Sequence, residues 1–162
     1  MTPLAAIRAQ IKVILSSVTG IGIVHDYQRF AVDWQKMLDL FKDDDRINTC
    51  MFRREKMIKR RIILGNPSSQ PHRIHIFKII CIRGLNDAQA TAVSFDDDLA
   101  AVEEAFEGYK TLNGTCETIN PGFGPTEGEE GVQISLVEER MFGNVLCHYA
   151  ELRLSVQERN AR

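Results

Sequence analysis

The chain contains no Cys-x-x-Cys pair, no window near the ~18 consecutive apolar residues of a membrane span, and no charged start followed by a long apolar stretch. The first absence argues against a zinc site or a dense disulfide framework, the second against membrane insertion, the third against a secretory leader. Net charge is also scarce: 20 basic against 22 acidic residues leave −2, where a general nucleic-acid binder would be strongly basic. The four cysteines, Cys50, Cys81, Cys116 and Cys147, are spread almost evenly, and three lie in apolar runs. Reduced, structural thiols are expected, in a soluble protein made and kept in a reducing cytoplasm, with no membrane partner. What remains is the make-up of an ordinary globular protein: 162 residues, 44% hydrophobic and 26% charged, without an internal repeat. One α+β domain is expected over residues 1–158, followed by a polar tail at 159–162.

Thr2 and Pro3 form a cap and first-turn pair, and Leu4, Ile7, Ile11, Ile14 and Val18 recur at steps of three and four. That spacing predicts an amphipathic helix, with Gly20 placed to stop it. A short extended segment follows at 23–27, then a second helix near 28–42 carried by Phe30, Trp34, Met37, Leu38 and Phe41. The acidic run Asp43, Asp44, Asp45 suits a solvated loop. Residues 47–63 alternate roughly between apolar and basic (Met51, Arg53, Met57, Lys59, Arg61, Ile63), and the Pro/Ser loop at 65–71 closes a hairpin with the run at 72–83. That run is apolar on both faces, which predicts a central strand. Asn86 with Gln89 reads as a capping box for a helix whose stripe is Ala88, Ala92, Phe95, Leu99, Val102, Phe106 and Tyr109. A flexible loop is expected at 120–131. Two strands follow at 132–140 and 145–158, joined by a turn at 141–144, with Leu146, Ala150, Leu152, Leu154 and Val156 sharing one face. The order predicts a mostly antiparallel sheet with helices packed on one side.

No catalytic or metal-binding set emerges, and no cofactor is expected. His72 and His75 would point to opposite faces of a strand, and the neighbours in His25–Asp26 and Cys147–His148 would diverge likewise. Asp96, Asp97 and Asp98 would fan out around a helix. Two charged regions stand out instead. Arg53, Arg54, Lys56, Lys59, Arg60 and Arg61 place six positive charges in nine residues, while Asp96, Asp97, Glu103, Glu104 and Glu107 make one helix face acidic. The basic block reads three ways: as an edge strand whose charges suppress aggregation, as a surface for phosphates, or as a contact for the acidic face of a neighbouring copy. A basic and an acidic patch on one chain permit a head-to-tail contact that closes a ring. Met141 and Phe142, at the last hairpin's tip, read either as a partner contact or as a tip folded back on its own sheet.

Two segments, Val24-His25-Asp26-Tyr27-Gln28-Arg29-Phe30 with Asp33-Trp34 and 38–41, and Glu139-Arg140-Met141-Phe142-Gly143-Asn144-Val145-Leu146-Cys147-His148-Tyr149-Ala150-Glu151-Leu152, resemble small tail and neck proteins of long-tailed bacteriophages. The element order is similar to the tail terminator (tail completion) family, an α+β fold. The resemblance implies a structural, non-enzymatic protein whose six copies form a ring, cap the tail tube and present the surface on which the head docks. It implies the tail tube protein and head–neck connector proteins as partners, DNA passing through the lumen, and a place in the virion after assembly in the host cytoplasm. A head-closure or adaptor neck protein is the alternative within the class. A small nucleic-acid-binding module using residues 53–61 is the alternative outside it. The basic block and the loop at 65–71 lie outside the resemblance.

Overall fold

The computed structural model describes residues 1–29, 34–43, 46–61, 70–123 and 126–160, without the side chains of Trp34 and Met37. Several expectations therefore concern positions outside the described residues: Phe30, the Trp34 and Met37 side chains, Asp44 and Asp45, Ile63, 65–69 of the Pro/Ser loop, 124–125 of the loop at 120–131, and Ala161 and Arg162 of the tail. The elements run in the order α1 (Pro3–Ser17), β1 (Ile23–His25), α2 (Trp34–Phe41), β2 (Lys42–Asp43), β3 (Arg46–Arg60), β4 (His72–Gly84), α3 (Thr91–Glu107), β5 (Val132–Phe142) and β6 (Val145–Gln157). They form an α+β fold around a mixed six-stranded sheet of order β1-β3-β4-β6-β5, with β2 paired to β3.

α1 starts where its cap predicts. The Ala5 N–H donates to Thr2 Oγ1 at 3.3 Å, Pro3 opens the first turn, and Ile7, Ile11, Ile14 and Leu15 are buried. Thr2→Ala is expected to cost about 1 kcal/mol, seen as a lower urea midpoint with an unchanged slope. The helix ends at Ser17, earlier than Gly20, because Val18 already takes extended dihedrals. Gly20 serves a different purpose: a Cβ there would overlap the Asp98 carboxylate, so its absence lets α3 approach closely.

β4 is the central strand that its two-sided apolar pattern predicts, antiparallel to β3 on one side and to β6 on the other. β5 and β6 form the second hairpin. β5 runs on to Phe142, past the expected end at Arg140, because Gly143 (φ 61) lets the chain turn within Gly143-Asn144. β1 is parallel to β3, with Ile23 beside Thr49 and His25 beside Met51. Parallel neighbours need a crossover connection, and α2 lies on it.

That crossover corrects the expectation that the helices pack on one side. α1 and α3 cover one face, where Ile7, Ile11, Phe95, Leu99, Val102 and Phe106 meet Cys50, Phe52, Phe77, Ile79, Cys81, Leu152 and Leu154. α2 covers part of the other face, with Leu38, Leu40 and Phe41 against Ile47, Met51, Ile80, Ile82, Cys147 and Tyr149. On the first face Ala150, Leu152, Leu154 and Val156 are buried as their alternation predicts, but Leu146, near the hairpin turn, is 41% exposed.

The start and stripe of α3 and the place of Asp43 are corrected as well. α3 begins at Thr91 instead of following Asn86: residues Asp87–Gln89 make a short 3₁₀ turn, and Ala90 takes a left-handed conformation (φ 50, ψ 45). The Asn86 N–H donates to Thr91 Oγ1 at 2.8 Å, so the cap residue is itself tied to the first helical residue, and Ala88 and Ala92 are exposed. Tyr109 lies beyond the helix end and is also exposed. Asp43 belongs to a two-residue strand, paired with Arg46. The loop at 120–131 meets the sheet where it is described: Pro121 and Thr126 are buried, Phe123 meets His72 edge-on at 6.1 Å, and Glu129 pairs with Arg153.

Candidate functional site

The two ends of the sheet differ in chemistry. β1 accompanies β3 only from Thr49 to Met51, and β2 only at Arg46 and Ile47. From Arg53 to Arg60, β3 is paired with β4 alone, so among the described residues its other side is a free edge. This edge carries Arg53, Arg54, Lys56, Lys59 and Arg60, with Arg61 just beyond, and all six are exposed. None of the six is ion-paired with a described residue; Glu55, the one acid among them, sits at a bulge and reaches across to Lys78 at 3.9 Å.

β5 is the opposite end, and its outer side is likewise free among the described residues. α3 packs beside β5 while α1 packs beside β1, so the acidic helix lies at the β5 end. Asp96, Asp97, Glu103, Glu104 and Glu107 are all exposed there. β5 adds Glu139, exposed, and Glu138, which pairs with Arg140 on the same strand. β5 also exposes Ile134, Leu136, Val137 (48%) and Met141 (58%), an unusual load of wet apolar surface for an edge strand. A bulge at Ser135 shifts the register between Ile134 and Leu136. The sequence thus revealed both charged regions, and the structure places them at opposite ends of one sheet.

Met141 and Phe142 are separated by the pleat of β5. Met141 lies on the α3 face and is wet. Phe142 folds back against Tyr149, ring centroids 6.1 Å apart, in the cluster under α2. The two side chains face opposite sides of the sheet.

Asp98 parts from Asp96 and Asp97 and turns inward. It receives the guanidinium of Arg83, whose side chain is only 3% exposed and which also donates to the Gly20 carbonyl and to Ser94 Oγ at 3.3 Å. The guanidinium lies over the Phe95 ring at 5.5 Å. These contacts pin α3 to β4 and to the turn after α1. The pair lines an open cleft of about 860 Å³ together with Thr19, Arg46, Asn48 and Asn86.

The histidines diverge as strand geometry requires. His72 bonds Gln157 on one face, and His75 bonds Glu158 at 2.8 Å on the other. His25 Nε2 contacts the Leu40 carbonyl at 2.9 Å, while Asp26 lies 3.9 Å from Lys12. His148 stacks on Phe95 and meets Thr91 Oγ1 at 2.8 Å, away from Cys147 under α2. Burial pushes the thiols of Cys116 and Cys147 up to about 12 and about 11, which keeps them protonated and poorly nucleophilic. Cys50 rises as well, because its protonated thiol shares a hydrogen bond with Cys81, 3.4 Å away, and is buried in the core. Among the described residues no three His, Cys, Asp or Glu side chains converge as a metal would require, and no helix is long and apolar enough to cross a membrane.

The sequence reading missed β5 as a surface, since the bulge at Ser135 breaks the alternation that would have marked Ile134 and Val137 as one row. It also missed Arg83, which sits at the end of an apolar run and meets a partner that only the fold brings near. No protein-family model matches the chain, and no curated protein matches it.

Proposed function

We propose that this chain is a structural subunit that assembles head to tail into a closed ring of six copies and acts as the tail terminator of a long-tailed bacteriophage. The ring would end the tail tube on one face, offer the other to the head–neck connector, and leave a lumen for DNA. The observation that carries the reading is the opposition of charge across the sheet: a basic free edge at residues 53–60 and an acidic, partly apolar edge at β5 and α3. Unlike surfaces at opposite ends of a subunit favour a heterologous contact, which closes into a ring when the rotation per subunit divides a full turn. The resemblance of residues 24–30 and 139–152 to phage neck and tail proteins supplies the biological setting.

The unpaired basic edge also favours a second reading, a module that binds nucleic-acid phosphates. Light scattering and negative-stain imaging separate the two. Assembly predicts concentration-dependent rings, weakened by about tenfold or more when Arg60→Glu and Arg61→Glu are combined, since close charge pairs couple subunits strongly. A chain that stays monomeric throughout and shifts DNA with a steep salt dependence would establish the second reading instead.

A further inference from the structure

We infer that the contact between copies is strand pairing: the outer edge of β5 in one copy adds to residues 53–60 of β3 in the next. This rests on the ring reading and specifies its interface. Three observations carry it. The four long strands β3, β4, β6 and β5 alternate in direction, each antiparallel to its neighbour, so β3 and β5 run opposite ways. A copy rotated about an axis along the strands therefore brings its β3 antiparallel to the first copy's β5, and the ladder continues without reversal. Each edge also supplies backbone groups that no described strand takes up.

The side chains agree with that partner and disfavour the others. Residues 53–60 carry five cations around Met57 and Ile58; β5 carries Ile134, Leu136 and Val137 followed by Glu138 and Glu139. Pairing β3 with β3 sets cation against cation, and pairing β5 with β5 brings two net-acidic ends together, whereas β3 with β5 joins apolar to apolar and opposite charges. The exposed acids of α3 stand at the same end as β5 and add to the field that meets the basic edge. Lysines and arginines on an edge, and a bulge on each strand, are also the devices by which sheets block indiscriminate pairing. Here the charges block like edges only, and β5 keeps its apolar row uncovered.

The test uses the full chain with a single added thiol, since all four native cysteines are buried. Met57→Cys and Val137→Cys both fall on exposed positions, so folding is checked by circular dichroism and is expected to be unchanged. A short bis-maleimide tolerates small differences in register. Mixed together, the two variants are expected to cross-link into dimers, and each alone to give none. Charge reversal gives an independent reading. Lys56→Glu with Lys59→Glu, and Glu138→Lys with Glu139→Lys, are each expected to weaken association by about tenfold, and mixing the two to restore it. Rings that form without the Met57–Val137 cross-link, and that ignore the reversals, would overturn strand pairing and leave the ring intact. A chain that never self-associates would remove the ring reading along with it.

Discussion

Asp98→Ala is expected to destabilise the protein by about 3–5 kcal/mol, the cost of leaving a buried charge without its partner. Arg83 is the reason. Its side chain is 3% exposed, and among the described residues Asp98 supplies the only carboxylate in contact with it. The Gly20 carbonyl and Ser94 hydroxyl would still accept from the guanidinium but cannot neutralise it. The two halves of the pair are unequal, because Asp98 is 23% exposed. Arg83→Met leaves a carboxylate that water can reach and an apolar side chain over Phe95, so it is expected to cost clearly less than Asp98→Ala. Urea unfolding of the two variants checks the order. Thermal melting should show Asp98→Ala lower by roughly 10 °C, given a few degrees per kcal/mol at this chain length. Equal losses from the two variants would mean that the ion pair is not what holds α3 to β4.

Gly22→Ala is the second large effect, expected at about 3 kcal/mol, since it joins backbone strain to a collision. Gly22 adopts φ 72 and ψ −140, a region that side chains avoid, and a Cβ there would overlap the Asn48 carbonyl of β3. That carbonyl belongs to a strand paired on both sides and cannot move aside cheaply. The residue that follows, Ile23, starts β1, whose carbonyl receives the Thr49 hydroxyl at 2.9 Å. The substitution should therefore loosen β1 from β3 as well as lower the melting temperature. Faster amide exchange in β1 and at residues 49–51 is the local sign to look for. Gly114 provides the control: its φ is 80, yet a Cβ there would meet nothing within 4 Å. Gly114→Ala should cost only the conformational part, about 1 kcal/mol.

The elements legible in the sequence are those whose signals are local. The Thr2–Pro3 cap, the stripe through Ile7, Ile11 and Ile14, and the two-sided run of β4 each need only a few neighbouring residues. Asn86 and Gln89 carry a local signal too, but one that a 3₁₀ turn uses as readily as an α-helix. The left-handed Ala90 settles the difference and leaves no mark in the pattern. α2 is legible as a helix, yet its face of the sheet depends on the parallel pairing of β1 with β3, which is a fact of topology. The candidate surfaces divide in the same way. Arg53 to Arg61 and Asp96 to Glu107 announce their charge in sequence, whereas their placement at opposite ends follows from strand order and from the packing of α3 beside β5.

The position of β4 between β3 and β6 bears on how the chain reaches this state. β3 meets β4 through a nearby connection, but Ile80 finds Glu151 only after α3, the loop at 120–131 and β5 have been made. Until β6 has left the ribosome, Phe77, Ile79 and Cys81 belong to an open ladder with one flank unoccupied. Contacts so distant along the chain slow folding and lengthen the time in which nascent molecules can stick to one another. The chain should refold on the scale of milliseconds to seconds, and fragments ending before Val145 should depend on chaperones to stay dispersed.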